Sequence, residues 1–306
     1  MSSGAGTLIV ENCQANNELA FTGIAAVDEQ LCVLVTFFQI VLDPSSTTVS
    51  PLLVEFGLSL PVLVALPFFE MSRAERAPIF AFPLPVALWQ IAQVFSAGFC
   101  FPFFWLAMIV SGHASTKPNK RTVIDQAHAD ATFFALCAFF LLPSALMAIL
   151  KDPVVTAIWQ PFPIWMGLAW GMHILVRPSS RYGASGRKMV YSTYIFTFAL
   201  AAAGHSYAVW PLFGDHAEFA PHFIPGVATS AASTLDSFDA AMNLLKWDMI
   251  FSFASSMLGS LWFADTVVEF FAIVGWTVLA AITLGPGAAL SGTLLWREWR
   301  LNGKQW

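Results

Sequence analysis

Leu244 to Phe263 reads LLKWDMIFSFASSMLGSLWF, and stretches like it recur along the chain. Each is about 20 residues long with few or no charges, the length that crosses the hydrocarbon core of a bilayer as a helix. This feature restricts the chain more than any other. Of its 306 residues 57% are hydrophobic and only 11% charged, against about 25% charged in a soluble domain. Mean hydropathy is +0.68. These values predict an all-α polytopic transmembrane helix bundle. The net charge of −5 comes from a few loop residues, and no basic run suggests nucleic acid.

The apolar windows fall at 51–70, 84–110, 129–150, 154–176, 189–211, 240–263 and 267–295, which predicts about seven spanning helices. Ser50-Pro51 opens the first as N-cap and first-turn proline, and Pro61 and Pro67 are expected to bend it. Gly285-Pro286-Gly287 interrupts the last. The stretch 27–42 has only a short apolar run after Gln30 and suits an interfacial or re-entrant helix; Asp43-Pro44 ends it. Residues 1–26 read as a polar N-terminal tail without a cleaved signal peptide. Residues 27–306 read as one transmembrane domain, with a long loop at about 212–239 that has the length of a lid.

Basic residues should gather on the cytosolic side. Taking all seven windows as crossings divides them evenly. Arg73, Arg76, Lys151, Arg297, Arg300 and Lys304 fall on one side. Lys117, Lys120, Arg121, Arg177, Arg181, Arg187 and Lys188 fall on the other. This leaves orientation undecided. No Asn-x-Ser/Thr sequon and no internal repeat occurs. The four cysteines have no metal or redox spacing; Cys100 and Cys137, in apolar spans, read as small buried hydrophobes.

Charges inside membrane helices are costly and point to function. Asp248 is the first candidate. Ser252, Ser255 and Gly259 share its helical face; the plainer reading is a packing face of small residues. Glu55 and Glu70 lie on one helix about 22 Å apart and cannot serve the same atom. Glu70 closes LPFFEMSR with Arg73 three positions on, either a headgroup ion pair or a site carboxylate with its orienting arginine. Gln90 and Gln93 need partners if buried. Trp159 and Trp165 in IWQPFPIW belong to an interfacial belt or line a pocket for a cation. His205 is a core histidine or a proton acceptor; His173, His216 and His222 are weaker. No Walker loop, GxGxxG, HExxH or paired Mg²⁺-diphosphate motif is present, and Asp236-Ser-Phe-Asp239 alone is weak. The remaining chemistry is acid catalysis in an apolar pocket.

In order along the chain, VDEQLCVLVTFF, LPFFEMSR, FPLPVALWQIAQVFSAGFCFPFFW, IWQPFPIW and LLKWDMIFSFASSMLGSLWF resemble the fungal membrane-bound terpene cyclases of meroterpenoid biosynthesis, of the ascofuranone type. The resemblance covers about 30–265. It implies an enzyme of fungal secondary metabolism that protonates the terminal epoxide of a prenylated aromatic and cyclises the resulting cation without metal or cofactor. It implies Asp248 and Glu70 as the carboxylate pair. Trp247, Trp159, His205, Gln90, Gln160 and Arg73 are then expected around the substrate. The expected partners are a hydrophobic prenylated small molecule and the lipid bilayer, and the expected location is the endoplasmic reticulum membrane. The alternatives are an epoxide hydrolase, a sterol-isomerase-like enzyme using the same acid chemistry, and a receptor or transporter for a hydrophobic molecule.

Overall fold

A computed structural model describes residues 10, 11, 13, 21–42, 49–73, 83–117, 122–226 and 237–302. Most of the expected N-terminal tail and residues 227–236 of the expected long loop lie outside these. Among the described residues the regular structure is helical, and one isolated bridge pairs Asp125 with Ser185. The helices are α1 (Ala25–Leu42), α2 (Pro51–Met71), α3 (Pro83–Phe95), α4 (Ala97–Val110), α5 (Gln126–Leu150), α6 (Pro153–Trp159) and α7 (Phe162–Val176). They continue with α8 (Ser179–Tyr182), α9 (Arg187–Ala208), α10 (His216–Phe223), α11 (Ser237–Ser260), α12 (Val267–Leu284) and α13 (Pro286–Asn302). Five of them, α1, α2, α5, α9 (with its extension to Leu212) and α12, are long and apolar enough to cross a membrane.

Local chemistry sets the helix starts. Asp152 accepts from the backbone N–H groups of Val154 (2.8 Å) and Val155 (3.0 Å), with Pro153 in the first turn of α6. Asp125, Asp215 and Thr266 cap α5, α10 and α12 in the same way. Each satisfies an N–H that the helix itself leaves unpaired. Pro51 does open α2, but the Ser50 side chain makes no cap bond. Pro61 and Pro67 lie buried inside α2. In α5 a π turn at Cys137–Leu141 absorbs one extra residue without ending the helix.

Two of the expected spans fold back on themselves. Between α3 and α4 the backbone reverses at Ser96, which has φ of 88° and whose hydroxyl accepts from Phe99 N–H. The Trp89 and Phe101 rings lie 5.4 Å apart; a continuous helix would put residues so spaced about 18 Å apart. The window 84–110 is therefore a helical hairpin. The window 267–295 is a second one. It turns at Gly285 (φ of 91°), and Trp276 Nε1 on α12 donates to the Ala289 carbonyl on α13 at 3.0 Å. Both reversals need a backbone conformation that a continuous helix excludes.

Side-chain contacts fix which helix ends meet. At one end, here the arginine end, Arg73 after α2 donates to the Thr122 carbonyl before α5. Arg297 near the end of α13 donates to the His113 carbonyl after α4. Gln126 N–H donates to Ala184 O, before α9, and Arg300 reaches Phe263 O, after α11. At the other end, the histidine end, His205 near the end of α9 meets Glu55 in the first turns of α2 and Ile282 O near the end of α12. Trp210 donates to Thr283 O. Lys246, early in α11, donates to the Pro221 carbonyl of α10. The α3–α4 hairpin leaves from the arginine end and returns to it.

The core is apolar and aromatic, with Phe68, Phe69, Phe101, Phe140 and Phe162 almost fully buried. Helices α4 and α11 run side by side in the same direction. Gly98 lies against Asp248 and Gly259 against the Trp105 ring; a Cβ on Gly259 would sit 2.3 Å from that ring. Ser252 and Ser256 are buried in α11. Small residues bring the two backbones together, as in membrane helix pairs.

Candidate functional site

The polar side chains of the interior fall into separate groups. The first is ionic. Glu70, Arg73, Arg297 and Glu298 are all buried. Glu70 Oε1 accepts from Arg73 Nη2 at 2.7 Å and from Arg297 Nη1 at 2.6 Å. Arg73 also pairs with Glu298, whose carboxylate is held by Asn302 Nδ2 at 3.3 Å. The network joins α2 to α13 at the arginine end. Glu70 is committed to two guanidinium groups. Arg297 and Glu298 carried no signal in the sequence, because they follow the last apolar window and read as a loop.

The second group lies at the histidine end. His205 Nδ1 is 3.1 Å from Glu55 Oε1 and Nε2 is 3.1 Å from Ile282 O. Glu55 is 2% exposed, and its Oε2 has no hydrogen-bond partner. Gly285 closes over this pair: a Cβ there would be 2.7 Å from Glu55 Oε1.

The third group is at the tip of the α3–α4 hairpin. The Asp248 carboxylate accepts from Gly98 N–H in the first turn of α4, with Ser96 also within hydrogen-bonding reach. The free N–H groups and dipole of a helix start favour a carboxylate there. Ser252 Oγ donates to the Asp248 carbonyl at 2.7 Å. Above the tip the surroundings are aromatic: Phe101 on Trp89, Trp89 on Phe162 (5.9 Å), and Phe162 on Trp159 (5.2 Å).

Near that aromatic group several buried polar atoms have no partner. Gln160, 2% exposed, has neither amide atom hydrogen-bonded. Trp89 Nε1 and Thr36 Oγ1 are likewise unpaired. Gln39 donates to Thr156 Oγ1 at 3.1 Å, and Thr36 lies one turn before Gln39 as Gln160 lies one turn after Thr156. Buried polar groups are normally paired, and unpaired ones are costly.

The structure brings some of the expected site residues together and separates others. Arg73 does meet Glu70. Asp248 and Glu70 do not converge: Arg297, bonded to Glu70, lies 4.1 Å over the Phe263 ring. Phe263 is fifteen residues beyond Asp248, or roughly 22 Å along the helix. His205 belongs with Glu55 at the histidine end, where Phe56 packs on Phe253 of α11 at 6.4 Å. Trp159 is buried, with Nε1 donating to Ser144 Oγ at 2.8 Å. Trp247 stacks on Phe251 at 5.4 Å. Gln90 Oε1 is unpaired. Cys100 and Cys137 are free thiols; Cys13 and Cys32 form a disulfide that spacing did not suggest. Among the described residues no three His, Cys, Asp or Glu side chains cluster as metal ligands do.

The sequence belongs to the CtvD domain family, which matches residues 5–300. It is similar to the terpene cyclase ctvD of Aspergillus terreus, 24% identical over 296 residues, covering 89% of this chain and 83% of that protein. It is also similar to the FAD-dependent monooxygenase verC1 of Penicillium polonicum, 24% identical over 270 residues, covering 80% of this chain but 32% of that protein. The chain thus spans about a third of the length of verC1. No solved structure matches it. The resemblance to fungal terpene cyclases read from the sequence is borne out by this family.

Proposed function

We propose that this protein is a membrane-embedded cyclase that opens the terminal epoxide of a prenylated aromatic by protonation, with Asp248 as the proton donor. The observation that carries the reading is the placement of the Asp248 carboxyl. It is at the tip of a hairpin, oriented by Gly98 N–H and beside an aromatic-walled interior. The Asp248 proton passes to the epoxide oxygen as the bond from that oxygen to the tertiary carbon breaks. An alkene or hydroxyl of the same molecule attacks the carbocation. A proton then leaves, and the product is an isomer of the substrate. Aromatic faces stabilise the cation and keep water away.

Gln160 and Trp89 are the groups in this reading that bind oxygens on the substrate's ring, because their polar atoms are buried and unpaired. Glu70 with Arg73 holds helices rather than substrate, and His205 serves Glu55. The verC1 relative supports an oxygenated substrate. A monooxygenase inserts one oxygen atom into its substrate, and in that protein a region similar to this chain makes up part of the same polypeptide. The helix directions support seven full crossings, by α2, α5, α6 with α7, α9, α11, α12 and α13, with the α3–α4 hairpin re-entrant. The membrane we assign is the endoplasmic reticulum, where a lipophilic prenylated substrate is at hand.

The test is mass spectrometry of a terminal-epoxide farnesyl phenol incubated with microsomes carrying the protein. A product of unchanged mass and new retention time is expected. A product heavier by one water would make the protein an epoxide hydrolase, and untouched substrate with folded protein would remove this substrate class.

A further inference from the structure

Once the α3–α4 and α12–α13 hairpins replace two single crossings, the basic residues redistribute. Every described Lys and Arg except Lys151 and Lys246 belongs to a segment at the arginine end. Arg73 and Arg297 are buried there in the ionic network. Lys117, Arg177, Arg181, Arg187, Lys188 and Arg300 belong to the connecting segments and helix ends around it. Contacts tie these segments to each other: Arg177 to Asp130 at 3.5 Å, Gly186 N–H to Ile124 O, and Arg300 to Asp265 and Glu269. At the histidine end Lys151 follows α5 and Lys246 reaches the α10 carbonyls. The acidic residues Asp152, Asp215, Glu218 and Asp239 belong to that end.

We infer that the arginine end faces the cytosol, with its basic surface against the anionic headgroups of the cytosolic leaflet, and that the histidine end faces the lumen. Lys and Arg are retained on the cytosolic side of short loops, whereas acidic residues contribute little to orientation. The cytosolic leaflet is anionic and attracts Lys and Arg close to it. A second observation is independent of charge. Cys13 and Cys32 are joined in a disulfide, a bond that persists in oxidising compartments. Cys32 is on α1, whose Phe38 and Gln39, two turns after Cys32, meet Trp159 and Thr156 of α6 at the histidine end. The lumen is the oxidising side. The same orientation opens the mouth of the α3–α4 hairpin toward the cytosol, with Asp248 at its closed tip. This inference does not depend on the proposed reaction.

The test is cysteine accessibility in sealed, cytosol-side-out microsomes with a membrane-impermeant maleimide. Cys100 and Cys137 on helices supply the wild-type background. Ser180→Cys and Ala217→Cys each place one thiol at an exposed position, at the arginine and histidine ends respectively. Expected is direct labelling of Ser180→Cys, and labelling of Ala217→Cys only after detergent opens the vesicles, a change of at least about tenfold. The reverse pattern overturns the orientation. Equal labelling of both before detergent, or of both only after it, overturns the assignment of the two positions to opposite sides. Retained disulfide mobility of the wild type on a non-reducing gel is expected after membrane isolation with thiols blocked; its absence in folded protein would remove the second argument.

Discussion

Gly98 has no room for a methyl group. A Cβ there would lie 2.9 Å from both the Asp248 carbonyl and its Oδ1. Gly98→Ala is therefore expected to displace the carboxylate and lower turnover of the epoxide by at least about tenfold, read as kcat with the protein still folded. Glu70 contrasts with Asp248. Removing one partner of a buried ion pair leaves the other uncompensated and costs about 3–5 kcal/mol. Glu70→Gln should show as a lower melting temperature and reduced yield of folded protein. At the mouth of α5, Asp125 is half-buried. Burial pushes its carboxyl up, but hydrogen bonds from the His128 ring and backbone and from Ser179 outweigh this and hold it below the ordinary range. A lowered carboxyl stabilises the fold above its unfolded value and loses that contribution as pH falls through the folded one. Wild-type melting temperature should thus drop more steeply than that of Asp125→Asn below about pH 4. Asp248 was legible in the sequence because a lone carboxylate in an apolar span stands out. The unpaired state of Gln160 was not, because partners become visible only in three dimensions.

The helices were legible as apolar windows, but the reversals were not. FPLPVALWQIAQVFSAGFCFPFFW is uncharged and apolar but for Gln90, Gln93 and Ser96, and Ser96 reads as one small residue among others. Its φ of 88° is what folds α4 back on α3. Gly285-Pro286-Gly287 did signal an interruption; that it is a full turn follows from Trp276 reaching Ala289. Gly285 combines φ of 91° with close contact to Glu55 and His205. Gly285→Ala is expected to destabilise by about 1–3 kcal/mol, measured as a fall in thermal stability. On α11, Gly259→Val would drive two methyl groups into the Trp105 ring and part α11 from α4. The loss of melting temperature should exceed that of a substitution at the exposed Leu258.

Across the whole molecule, five helices among the described residues, not seven, are long and apolar enough to cross a membrane. Reading 84–110 and 267–295 each as one crossing puts the loops that follow them on the wrong sides. That is why the basic residues seemed evenly divided in the sequence and gather at one end of the fold. The same arrangement puts the two carboxylates expected as a pair at different depths, Glu70 at the arginine end and Asp248 at the hairpin tip, fifteen residues before the Phe263 ring that Arg297 covers. In the proposed reaction one carboxyl, that of Asp248, rather than two performs the acid step. The direct measurement is the turnover of the terminal-epoxide farnesyl phenol by Asp248→Asn, with melting temperature recorded on the same preparation. Product formation is expected to fall by at least about a thousandfold with the melting temperature within a few degrees of wild type, since the amide keeps the bond from Gly98. Wild-type turnover by a folded Asp248→Asn protein would contradict it.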